Sequence, residues 1–364
     1  MFEPTRLVLA RARRGLTKRQ LSERSGLSIR TLTALEQGPD PAPTDRTVEA
    51  LSSSLGFPRE FFSGEEMEAL PAEAATFRAL TRLSARERDA ALAAGRLALA
   101  LSEWIESRFE LPQVDIPQLA SEAPEAAAEA VRARWGMGLG PIPNLVHLLE
   151  AHGVRVFSLA TDCSEVDAFS LWRDGKPFVF LNTNKSGERS RMDAAHELGH
   201  LVLHPEYDRS VSRQLERDAA LFASAFLMPQ ASLIGRHGMY PTLDELVHGK
   251  REWSVSLAAY VQRLYTAGLI TEWHHRSLFI ELSKRGYRSG EPDGIERERS
   301  QILEQVFGYL RREGVTRSDV ARALALSKQD LDALVFGLVF SSVDGAAERP
   351  GRAQRGHIRV VGAQ

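Results

Sequence analysis

The segment His196-Glu197-Leu198-Gly199-His200 lies inside a helical pattern. On a helix, residues i and i+4 share one face about one turn apart, so two imidazoles there can converge on one tetrahedral ion. The intervening Glu197 is then placed to hold a water on that ion and take its proton. The chemistry predicted is metal-assisted hydrolysis, with His196 and His200 as ligands of Zn2+ and Glu197 as the catalytic base. The flanking Met192, Ala194, Ala195, Leu198, Leu201, Val202 and Leu203 make this helix apolar nearly all round, as for a buried helix. Buried histidines and a buried glutamate need partners, and a cation supplies them. The competing reading is a helix with two unrelated histidines, because H-E-x-x-H also arises by chance.

A third ligand must come from elsewhere. His204 continues the series, but at 1.5 Å per residue it lies about 12 Å along the axis from His196, so an unbroken helix cannot bring all three to one ion. That leaves His204 behind the ligands or as a plain helix-end residue. The next helix offers Glu216 and Asp218, which point to nearly opposite sides. Glu216 shares its face with the small residues Ala219, Ala220 and Ala223, which permit close packing, and is preferred. Alternatively both are ordinary solvated charges.

The elements that must position these groups can be read from periodicity. Helices are expected at 122–135, 143–152, 188–204 and 212–227, the last stopped by Pro229. Strand-like runs occur at Val154–Ser158 and Pro177–Leu181, the second after the turn Asp174-Gly175. The run around Phe178–Phe180 is expected to be an exposed edge along which a polypeptide could lie by strand addition. No oxyanion donor stands out; Tyr207 and His204 are weak candidates.

The stretch from His196 to His204, followed by Leu215-Glu-Arg-Asp-Ala-Ala-Leu-Phe-Ala-Ser-Ala-Phe-Leu-Met-Pro229, closely resembles the ImmA/IrrE metallopeptidases. That family pairs H-E-x-x-H with a downstream glutamate in an E-x-x-A-x-x-F-A…L-M-P helix, and the resemblance covers about residues 118–270. It implies a zincin-like α+β domain with His196, His200 and Glu216 as zinc ligands and Glu197 as catalyst. It also implies regulated cleavage of a helix-turn-helix repressor, in a stress-response setting. Family members often carry glutamine or glutamate where Asp218 stands, which leaves a ligand role for Asp218 open. Zinc would acidify the water and polarise the scissile carbonyl, and Glu197 would carry the proton to the leaving amine.

A second chemistry sits at the N-terminus. Short helices are expected there, one with Leu7, Leu9 and Ala10, and others capped by Thr17, Ser28 and Thr44, with a turn at Gly26. Ile29, Leu32 and Leu35 are expected inward on the third, and Val48, Leu51 and Leu55 on the fourth. Gly15–Gly38 resembles the Xre/lambda-repressor helix-turn-helix, with Leu21, Leu27, Leu32 and Leu35 inward, over residues 5–62. The resemblance implies DNA reading by Ser28, Arg30, Thr31 and Thr33, with Lys18 near phosphate. Arg6, Arg11, Arg13, Arg14, Lys18 and Arg19 concentrate positive charge here, although the formal net charge of the chain is only −2. The competing reading is a protein-interaction domain with a solvated basic face.

Gly314–Gly337 aligns without gaps to Gly15–Gly38, with Ala325 in place of the turn glycine and Asp330 and Asp332 in place of Thr31 and Thr33. Two carboxylates facing phosphates are unfavourable, so this copy is read as a module that packs or pairs with protein. A plain helical pair with coincidental spacing is the alternative.

The whole is expected to be mainly α with a small β-sheet, and multidomain within 364 residues. The divisions are 1–65 helix-turn-helix, 66–117 helical linker, 118–270 metallopeptidase, 271–344 C-terminal helical region and 345–364 a disordered tail. Within that tail His357–Val361 could pair as a strand. Hydrophobic residues make up 43% and charged residues 26%, ordinary for a globular protein. A single cysteine, Cys163, fits a reducing compartment, and Met1-Phe2-Glu3-Pro4 lacks a signal-peptide pattern, so a cytoplasmic location without membrane contact is expected. Expected partners are DNA and a protein substrate, with a homodimer as one candidate assembly. Two functions compete: a DNA-binding regulator with zinc endopeptidase activity, and a transcription factor whose peptidase-like domain is a non-catalytic sensor or scaffold.

Overall fold

Hydroxyl caps punctuate the N-terminal helices as the sequence predicts. In the computed structural model, which describes residues 1–38, 42–67, 70, 84–159, 166–205, 212–288, 290–339 and 359–360, α1 spans Pro4–Arg13 and α2 spans Lys18–Ser25. The Thr17 side chain caps α2 in a reciprocal box with Gln20, and Gly26 ends it in the left-handed region at φ 71°. Ser28 caps α3 (Ile29–Gln37), and Thr44 caps α4 (Asp45–Leu55). A 3₁₀ turn at Arg59–Ser63 closes the bundle over a core of Leu7, Leu9, Leu21, Leu32, Leu35, Leu51, Phe57, Phe61 and Phe62. Ile29 departs from expectation and is 50% exposed. Helical side chains lean toward the N-terminus, so at the first position Ile29 overhangs the helix end. Leu27 and Val48 are half-buried rather than fully inward.

The long helix α5 (Ala85–Glu106) is capped by Ser84 and Glu87 and packs against α1. It is followed by β1 (Phe109–Glu110) and then by α6 (Pro124–Arg134), α7 (Leu145–Ala151), β2 (Arg155–Ser158), β3 (Ala168–Arg173) and β4 (Lys176–Leu181). The metal motif lies on α8 (Gly187–Leu203), and α9 (Ser212–Leu227) follows. Helices α10 (Gln230–Leu233), α11 (Leu243–Trp253), α12 (Leu257–Thr266) and α13 (Glu272–Lys284) come next. The chain then forms α14 (Gln301–Arg312), α15 (Arg317–Ala323), α16 (Lys328–Val335) and β5 (Arg359–Val360). The fold is thus mainly helical and multidomain, with small sheets. Most of residues 66–83, at the start of the expected 66–117 linker, and most of the tail fall outside the described residues.

Two compact units emerge, Met1–Pro112 with Phe157–Phe169 and Ser300–Gln364, and Gln113–Val156 with Ser170–Arg299. In the first, the C-terminal helices repeat the N-terminal motif. Thr316 and Asp319 form the capping box of α15, as Thr17 and Gln20 do for α2, and Ser327 caps α16 as Ser28 caps α3. Ala325 takes φ 53° at the turn where Gly26 takes 71°. A left-handed alanine is locally unfavourable and persists only where the surrounding packing imposes it. The two copies meet: Arg14 donates to both carboxylate oxygens of Asp330 at 2.6 and 2.7 Å, and Arg13 lies 3.5 Å away. Asp330 is 1% exposed. Its burial alone would raise its pKa, but the Arg14 hydrogen bonds and charge, the Ser327 hydroxyl and Arg13 hold it below the usual value. The expected C-terminal strand forms at Arg359–Val360, antiparallel to β1 with Phe109 opposite Val360.

The three-stranded sheet has the order β2–β4–β3, so β4 is central. The expectation of an exposed edge at Phe178–Phe180 is therefore corrected. Phe178, Val179, Phe180 and Leu181 are all buried, and a strand covered on both faces reads as a continuous apolar run rather than an alternation. The hairpin partner β3 takes the edge, joined to β4 through Asp174 and Gly175 at φ 50° and 73°, the paired left-handed residues of a tight hairpin turn.

Candidate metal centre

The close approach of α8 and α9 builds the centre. A Cβ added to Gly199 would meet the backbone of Ala219 and the Phe222 ring at 3.1 Å, so glycine is what lets the helices touch at this level. Ala219 and Ala223 are buried in that contact, whereas Ala220 is exposed. At the far end of α9, buried Arg132 donates to the Phe226 carbonyl and buried Arg263 to the Met228 carbonyl. These guanidiniums satisfy the carbonyls that a helix end leaves without partners.

His196, His200 and Glu216 converge. The His196 Nε2 lies 3.1 Å from His200 Nε2 and 3.2 Å from Glu216 Oε2, and His200 Nε2 lies 3.4 Å from Glu216 Oε1. The His196 side chain is 20% exposed, His200 2% and Glu216 10%, so the group is largely buried and reaches solvent chiefly at His196. Tetrahedral zinc with bonds of about 2.0–2.2 Å places neighbouring ligand atoms roughly 3.3–3.5 Å apart. The His196–His200 separation and the nearest His–Glu216 separations, the latter made to different carboxylate oxygens, lie close to that spacing; one ligand atom from each of the three residues falls within 4.8 Å of the others, and their types suit zinc. Among the described residues this is the one group of His, Cys, Asp or Glu so arranged.

The electrostatics favour a cation at this point. Burial would raise the Glu216 pKa, but hydrogen bonds from His196 and His200 and their charges hold the carboxyl well below the usual range. Burial opposes a charge on His196, yet its hydrogen bond to Glu216 and the charges of Glu197, Glu216 and Asp193 raise its pKa. The carboxylate is thus kept ionised among lone-pair donors, which is what a metal ligand requires. Asp218 is turned away and accepts from Gln214 Nε2 at 2.9 Å, so it is not brought to the group.

Glu197 stands apart from the three. It is buried, and its Oε2 accepts a hydrogen bond of 2.7 Å from the Ser170 hydroxyl on β3. Sequence reasoning missed both β3 and Ser170, since no spacing rule links positions 170 and 197. The Trp172 indole also donates to the Leu201 carbonyl at 3.3 Å, fixing β3 against α8. His204 follows α8 with its Nδ1 3.1 Å from His200 Nδ1, and burial and then the neighbouring His200 lower its pKa to about 4. Tyr207 falls outside the described residues.

Residues 149–265 match the family model described as the IrrE N-terminal-like domain, and residues 7–62 match the helix-turn-helix model. The chain fuses an N-terminal helix-turn-helix to an IrrE N-terminal-like domain. The IrrE match runs from the end of α7 into α12 and includes all four residues of the centre. It identifies a metallopeptidase-like domain and suggests a metal cofactor; the helix-turn-helix identifies a domain of the DNA-binding type. No curated protein matches the chain. No helix among the described residues is long and apolar enough to cross a membrane.

On the helix-turn-helix, Ser28 and Arg30 are exposed and Thr31 and Thr33 half-buried. Ser28 and Thr31 are occupied in part with each other, their hydroxyls 2.8 Å apart at the start of α3. Much of the expected positive charge is already paired with carboxylates. Arg11 and Lys18 both pair with Glu36, Arg13 and Arg14 with Asp330, and Arg19 with Glu23. Buried Arg6 donates to the carbonyls of Phe61 and Glu65. Arg24, Arg30 and Arg46 are exposed and carry no ion pair among the described residues.

Proposed function

We propose that this IrrE-type chain is a zinc-dependent endopeptidase that cleaves a regulatory protein, such as a helix-turn-helix repressor, and binds DNA through α3. The observation that carries the peptidase half is the convergence of His196, His200 and Glu216, with contacts of 3.1–3.4 Å between their side chains and a buried glutamate beside them and outside the group. His196, His200 and Glu216 would hold zinc. Bound zinc supplies an acidified water and polarises a peptide carbonyl. Glu197, oriented by Ser170, accepts the water proton and returns it to the leaving amine. The substrate backbone would pair along the Ser170–Arg173 part of β3, the edge strand beside α8, rather than along central β4. We take residues 118–270 as the catalytic domain and 1–65 as the DNA-binding domain.

One zinc per chain is expected by elemental analysis of the purified protein. His196→Ala should lower that stoichiometry sharply, and full retention of zinc would remove the site assignment.

For DNA, Arg30→Ala should weaken specific binding of the full-length chain by about 1–3 kcal/mol if Arg30 reads a base edge. Lys18→Ala should change the salt dependence of binding by less than one ion, because Lys18 already shares its charge with Glu36. A binding-site selection from genomic DNA tests this; no enrichment by the full-length chain would remove the DNA half.

A further inference from the structure

The His200 and His204 rings face each other through their Nδ1 atoms at 3.1 Å, while His200 turns Nε2 toward His196 and Glu216. A neutral imidazole carries one proton, on either nitrogen. If His204 donated, His200 would carry its proton on Nε2 and have no lone pair for a metal. If His200 donates, its Nε2 is unprotonated and aimed at the group. The fold holds His204 in this position. The residue ends α8, and its backbone N–H bonds the His200 carbonyl at 2.9 Å, which keeps the two rings on one side.

We infer that His204 is a positioning residue that accepts the Nδ1–H of His200 and so fixes the tautomer in which His200 binds zinc through Nε2. This rests on the zinc reading above. Partners that orient a ligating histidine in this way are part of a metal site's affinity, and losing one costs about 10–100-fold. His204 lies outside the ligand group itself.

The test is zinc affinity of the full-length protein, measured by competition with a chelator, so no substrate is needed. His204→Phe keeps the ring and its packing but removes the acceptor; His204→Asn loses the ring and places an amide oxygen where Nδ1 stood. The expected result is a zinc Kd weakened about 10–100-fold in His204→Phe and largely restored in His204→Asn. Unchanged affinity in His204→Phe overturns the inference. So does equal weakening in both variants, which would make the role one of packing. His196→Ala separates this inference from the zinc reading. If it binds zinc as the native protein does, the zinc reading itself fails and this inference falls with it; if it loses zinc while His204→Phe does not, only the inference falls.

Discussion

Glu197→Gln should yield a protein that folds normally, keeps its zinc, still binds DNA and has lost peptide cleavage by about 10²–10⁴-fold, the usual contribution of a positioned base. The substitution preserves length and shape, and the new amide oxygen can still accept the Ser170 hydroxyl that holds Glu197 Oε2 at 2.7 Å. What it removes is the basic carboxylate. Because Glu197 is not in the ligand group, zinc content should not follow activity, in contrast to His196→Ala, which should lose both. The measurement is cleavage of candidate repressors by metal-loaded native and variant protein, with zinc assayed on the same samples. Undiminished cleavage by Glu197→Gln would show that Glu197 is not the base. If no cleavage is seen with native protein, and the cellular transcriptional response survives Glu197→Gln but not loss of zinc, the sensor or scaffold reading replaces the peptidase.

The second large effect is expected at Asp330. Asp330→Ala should destabilise the first compact unit by about 3–5 kcal/mol, the range for breaking a buried ion pair from one side. Arg13 and Arg14 would both lose this carboxylate at the junction of the two helix-turn-helix copies, with the Arg13 side chain only 5% exposed. The folded-state pKa of Asp330 is depressed, so its stabilisation is complete above the unfolded value of about 3.9 and is lost as pH falls through the lower folded value. Hydrogen exchange over residues 301–335, with denaturant unfolding of the full-length protein, reads the effect. A double-mutant cycle with Arg14→Ala should show coupling between the two sites. A change below about 0.5 kcal/mol, the level of an ordinary surface substitution, would mean that the junction does not depend on this pair.

What the sequence determined by itself is what short spacing along the backbone dictates. His196 and His200 share a face because a helix repeats every 3.6 residues. The caps at Thr17, Ser28 and Thr44 and the left-handed turn at Gly26 follow from the same local rules, whereas the left-handed Ala325 runs against them. Even the central place of β4 is legible in its unbroken apolar run, although the expectation drawn from that run is an edge. The tertiary structure decided which distant groups meet. It chose Glu216 over Asp218 by the side of α9 that packs on Gly199, and set Ser170 on Glu197 by making β3 the edge strand. It also turned an apparent basic surface into internal pairs with Glu36 and Asp330. Such meetings depend on which faces are buried against which, and the side-chain period of one segment says nothing about the partner that another will present to it.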